Sequence, residues 1–92
     1  MQKEKMERLA QSFPTLMMAP GTVPFNADKL AKWARGPEPG HGARCAARFV
    51  LTVWNPGVRW RCGRFDLMEA LSSWDDEHRG AFLRWVQKPW WP

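Results

Sequence analysis

His41, Cys45, Cys62 and His78 carry the donor atoms of this sequence that could hold a transition metal or perform nucleophilic chemistry. His41 and Cys45 stand one helical turn apart, and Cys62 with His78 would complete a Cys2His2 set. The sequence has no CxxC or HxxxH pair, so the usual zinc-finger spacing is missing. The reading is that Cys45 and Cys62 are small core residues with free thiols, that His41 lies in a loop, and that no metal or other cofactor is bound. A thiol–imidazole nucleophile needs the fold to bring Cys45 or Cys62 to His41. His78 follows Asp76 and Glu77, but acids there suit a helix start, and His78 is expected to face water. GPEPGHG, residues 36–42, lacks the lysine and the strand-to-helix setting of a phosphate loop. The expectation is that the chain is not an enzyme.

Binding chemistry is better represented. VRWRCGR, residues 58–64, alternates Arg59, Arg61 and Arg64 with Val58, Trp60 and Cys62. Residues 41–65 also contain Arg44 and Arg48 and no acid, whereas residues 66–92 are net acidic. The whole chain carries a formal +5, which favours anionic partners without dictating the fold. Arginine chelates phosphate and tryptophan stacks on unpaired bases. A nucleic-acid accessory protein using Arg44, Arg48, Arg59, Arg61, Arg64 and Trp60 is therefore the alternative function. The favoured function is a non-catalytic protein-interaction module, inhibitory or adaptor in kind. It would bind a protein partner or a second copy through Trp90, Trp91, Met17, Met18, Arg59, Arg61 and Arg64. Seven Trp in 92 residues exceed what a small core needs, and Trp, Met and Arg are enriched at interfaces.

The totals fit one domain. A chain of this length buries roughly 60–65% of its unfolded surface, so each aromatic, worth about 150–250 Å², matters. Arg outnumbers Lys, and Ala and Gly are frequent, a bias that suits a bacterial, plasmid or phage accessory protein. The first residues are charged and lack an apolar signal region, and FVLTVW is too short to cross a bilayer. The expected setting is cytoplasmic, with no membrane contact.

The elements that would position these groups are mainly α-helical. We expect four to five short helices in one domain over 1–92, with an N-terminal helix over 1–13, an apolar Pro-rich linker over 14–25 and a compact core over 26–92. Met6, Leu9, Ala10 and Phe13 have helical spacing. FNADKLAKWARG has Asn26 as N-cap and Gly36 as the residue after its end. ARCAARFVLTVWN, residues 43–55, favours helix by length. The alternative is a β-hairpin over 49–64, turned at Asn55–Gly57. Asp66 and Glu69 have the spacing of a capping box, and Asp75 is the N-cap of a last helix that Pro89 stops. Gly80 inside that helix suggests a close helix contact. The expected core is Leu30, Trp33, Phe49, Val50, Val53, Leu67, Leu71, Trp74, Phe82, Trp85 and Val86. The PWWP end is either a lid on the core or an exposed anchor.

Overall fold

The computed structural model describes residues 2–92. It contains five α-helices, α1 (Gln2–Gln11), α2 (Ala27–Arg35), α3 (His41–Trp54), α4 (Leu67–Ser73) and α5 (Asp76–Gln87), with a 3-10 turn at Pro14–Leu16. No strand occurs among the described residues. None of the helices among them is long and apolar enough to cross a membrane.

α3 is the axis of the fold. Cys45, Ala46, Ala47, Phe49, Val50, Leu51 and Val53 are all buried along it. A helix that is apolar on most of its circumference must be surrounded, and α1, the 3-10 turn, α2 and α4 all pack on it. Residues 43–54 are thus helix, with Asn55 as the extended C-cap, and the hairpin alternative over 49–64 is not adopted. Its second arm has no strand to pair with. Residues 55–63 run through turns in which Gly57 N–H donates to Asn55 Oδ1 at 3.1 Å and Gly63 N–H to the Trp60 carbonyl at 3.0 Å.

The caps follow the sequence. Asn26 Oδ1 accepts from Lys29 N–H at 3.1 Å, Asp66 Oδ1 from Glu69 N–H at 3.0 Å and Asp75 Oδ1 from His78 N–H at 2.9 Å. Each satisfies one of the amides left open at a helix start. The side chain of Glu69, however, pairs with His41 and Arg48, so the capping box is only half formed. Gly36 ends α2 with φ −76°, without the left-handed turn expected of a glycine there.

The largest departure is at 14–25, expected to be a linker. Phe13, Leu16, Thr22 and Phe25 are buried, and the Thr22 hydroxyl donates to the Leu16 carbonyl at 2.9 Å. The prolines break regular helix but leave apolar side chains free to turn inward, so the segment is part of the core. Phe25 N–H donates to Glu7 Oε2 at 2.8 Å, tying the segment back to α1.

Within the expected core, Leu30, Phe49, Val50, Val53 and Trp74 are buried, and Trp33, Phe82 and Trp85 pack against it from partly exposed positions. Leu67, Leu71 and Val86 are exposed instead. α4 is two turns long and turns Ala70, with Trp74 just beyond its end, toward α3. Its register leaves Leu67 and Leu71 outside. α5 faces inward through His78, Ala81, Phe82 and Trp85, which rotates Val86 to solvent.

Gly80 has no close helix neighbour. An added Cβ there would meet only the Arg84 guanidinium at 3.4 Å, the mobile end of a flexible side chain. Gly80→Ala should therefore stabilise the fold by about 1 kcal/mol through helix propensity. Thermal melting checks this, and a lowered Tm would contradict it.

Candidate functional site

The groups with chemical potential fall into two clusters and two grooves. The first cluster joins α3 to α4. Gly40 starts α3, which places His41 on its first turn and not in a loop. Cys45, one turn on, brings its Sγ to 4.0 Å from His41 Nε2. Glu69 Oε2, from α4, lies 3.2 Å from the same Nε2 and accepts from Arg48 Nη1 at 3.1 Å. Thiol and carboxylate thus meet one ring nitrogen, whereas a nucleophile relay needs one on each nitrogen. Burial pushes the Cys45 thiol above its ordinary range, and a hydrogen bond from Ser73 opposes this only in part. Activation of a thiol nucleophile works in the opposite direction, by lowering its pKa.

His41, Cys45, Cys62 and His78 do not come together as a Cys2His2 set. Cys62 is buried, and its carbonyl accepts from Arg48 Nε at 2.7 Å. Its thiol is also pushed up by burial.

His78 belongs to the second cluster and is 5% exposed, against the expectation that it faces water. Its ring fills space beside Phe13 and Trp74. His78 Nδ1 lies 2.7 Å from Asp75 Oδ1, and Nε2 lies 2.8 Å from Thr15 Oγ1. The order hydroxyl–imidazole–carboxylate is that of a hydrolase relay, but the imidazole is embedded among aromatic rings. The cluster ties the 3-10 turn to the start of α5. What hid it in the sequence was the distance in chain between Thr15 and His78.

Asp75 has its carboxyl held below the ordinary carboxylate range, first by the His78 backbone N–H and then by the His78 ring. A pKa lowered by folding contributes stability that is full above the unfolded value near 3.8 and is lost as pH falls through the folded value. Tm measured from pH 6 to pH 2 should fall in that acid window, and the fall should be shallower in Asp75→Asn. Parallel profiles for the two proteins would contradict this assignment.

The arginines of the basic segment divide. Arg44 donates from Nε to the Ala34 carbonyl at 2.7 Å and from Nη2 to the Gly36 carbonyl at 3.0 Å. It thereby closes the end of α2. Arg48 is engaged with Cys62 and Glu69. Both have internal partners, whereas Arg59, Arg61 and Arg64 are exposed. Arg59 and Arg61 line a groove of about 360 Å³ with Lys32, Arg35 and Trp60, and Asp28 is its one acid. Arg64 lies on a separate, smaller concavity. Trp60 is half-buried, and its Nε1–H has no hydrogen-bond partner.

The second groove, of about 380 Å³, runs between α1 and α5. Lys5, Arg8, Arg84 and Lys88 line it with Trp85 and Trp90, and no carboxylate does. The PWWP end folds back to build it. Trp85 Nε1–H donates to the Trp90 carbonyl at 3.1 Å, and Lys5 Nζ stands 5.4 Å from the Trp90 ring centre. Trp91 packs edge-on against Trp85 and stays 58% exposed. The four cations of this groove escaped sequence reasoning because they sit near opposite ends of the chain. Met17 and Met18 are exposed, Met18 at 95%, and line neither groove. The expected partner-binding residues therefore do not gather in one patch.

No family model matches this chain, and no curated protein or solved structure matches it. What is shown is a small all-α domain with an exposed aromatic cluster and exposed methionines.

Proposed function

We propose that this protein is a non-catalytic interaction module that docks an acidic segment of a partner protein in the α1–α5 groove. The carrying observation is the lining itself, with four basic side chains and two indoles and no carboxylate. Such a lining attracts a negatively charged chain and offers it apolar area. A peptide suits it better than a nucleic acid. Lys5 already stands over the Trp90 ring, and Trp85 is held edge-on between Phe49 and Trp91. The indoles therefore act as walls and not as free faces for stacked bases. Arg44 and Arg48, two of the five arginines behind the nucleic-acid alternative, are also engaged internally. The Trp60 groove, with Arg59 and Arg61, extends the same preference for anions to a second face.

The test is fluorescence anisotropy with a labelled peptide alternating Glu and Leu, run beside a labelled single-stranded oligonucleotide. The peptide is expected to bind, with affinity falling as salt rises from about 50 to 200 mM. Arg84→Glu combined with Lys88→Glu should weaken it about tenfold or more, at unchanged circular dichroism. Oligonucleotide binding without peptide binding would move the function to the nucleic-acid alternative.

A further inference from the structure

Three donor atoms of different chemistry converge where α3 meets α4, away from both grooves. His41 Nε2, Cys45 Sγ and a Glu69 carboxylate oxygen all lie within 4.8 Å of one another. Around a tetrahedral zinc ion, with bonds of about 2.0–2.3 Å, donor atoms stand about 3.3–3.6 Å apart. Nε2 and Oε2, at 3.2 Å, already have that spacing. Sγ and Nε2, at 4.0 Å, are a few tenths of an ångström outside it. The His41 side chain is 49% exposed, so its ring has room to close that distance around an ion.

The elements favour the same conclusion. His41 and Cys45 share one face of a helix, one turn apart, and need no loop to rearrange. Cys45 is buried at the rear of the site while His41 is open in front. An ion would therefore be held from behind by sulfur and reached from solvent. Arg48 Nη1, at 3.1 Å from Glu69 Oε2, adds a positive charge nearby. That charge weakens binding of any cation, but the same hydrogen bond fixes the carboxylate, as outer-shell partners of metal ligands do. Thiolate, imidazole and carboxylate together suit zinc, whereas calcium and magnesium require oxygen sets.

We propose that His41, Cys45 and Glu69 form a three-ligand zinc site with its fourth position open to water. Binding replaces the Cys45 S–H bond by a zinc–sulfur bond, and the proton passes to solvent. The ion bridges the first turns of α3 to α4, so it stiffens that junction.

Cobalt(II), which takes zinc sites and reports thiolate ligation in its absorption, is the probe. Titrating the reduced full chain with cobalt should give one equivalent, with a near-ultraviolet sulfur-to-metal band that zinc abolishes. His41→Ala and Cys45→Ser should each remove the band, Glu69→Gln should weaken cobalt binding about tenfold or more, and Cys62→Ser should leave it intact. Circular dichroism confirms that each variant is folded. If buried Cys45→Ser fails to fold, the exposed His41→Ala decides. Absence of the band in the native chain overturns the site. So does a band that survives His41→Ala, or one that disappears in a folded Cys62→Ser.

Discussion

Gly21→Ala is expected to lower the urea midpoint of unfolding by about 2 M, the cost being about 3 kcal/mol or more on a slope near 1–1.5 kcal/mol/M. Gly21 has φ +86°, a backbone conformation that side chains disfavour. The added Cβ would also stand 2.5 Å from the Asn26 carbonyl oxygen and 2.6 Å from the Leu30 nitrogen. Both are backbone atoms of the start of α2, so no rotamer change relieves the clash. The start of α2 must move, and with it the bond from Asn26 N–H to the Gly21 carbonyl, now 2.8 Å. A domain of this size has only about 5–15 kcal/mol to lose. A midpoint within about 0.3 M of the parent would show that α2 can shift without cost, contrary to this account.

Phe13→Ala is the second large effect, with an expected loss of about 3–5 kcal/mol. Phe13 is fully buried between the end of α1 and the 3-10 turn. Its ring centre lies 5.8 Å from Phe49 and 5.5 Å from Trp74, and it also packs on His78. It therefore joins the N-terminal elements to α3, α4 and α5 at one point. Removing the ring leaves a cavity whose walls belong to separate helices, and these cannot all close on it. Denaturant unfolding measures the loss, with Met18→Ala as control. Met18 projects into solvent, and its truncation should stay within about 0.5 kcal/mol of the parent. Equal effects of the two substitutions would show that Phe13 is not central to the core.

These positions show how far the sequence could be read. Helix starts were legible because a cap is a local event: Asn26, Asp66 and Asp75 each bond an amide three residues on. The helical nature of residues 43–54 was legible from length, although propensity in its second half pointed the other way. The inward packing of 14–25 was not legible. Prolines there announced a break in hydrogen bonding, which says nothing about where Leu16 or Phe25 must go. Leu67 and Leu71 misled for the related reason that an apolar stripe marks a face but not its neighbour. At the sites, Cys62 and in part Trp60 turn inward while Val58 stays exposed with Arg59 and Arg61, because residues 58–64 follow turns and not a strand whose alternate side chains share a face. The roles of Glu69, Thr15 and Lys5 come from pairings across long stretches of chain, and no spacing rule encodes them.

The central position of α3 has a consequence for how ligands act on this protein. α1, the 3-10 turn, α2 and α4 all lean on that helix, and Phe82 and Trp85 of α5 meet it through Phe49. Apart from α1 with the 3-10 turn, the most extensive packing between elements all involves α3. The chain should thus gain and lose its structure in a single cooperative step. In such a molecule, anything that holds the folded form lowers the population of every open form at once. An ion at the α3–α4 junction would then protect the α1–α5 groove from unfolding, and a peptide in that groove would protect the junction. The two sites would be thermodynamically linked through the folded state alone, without any atom of one moving toward the other.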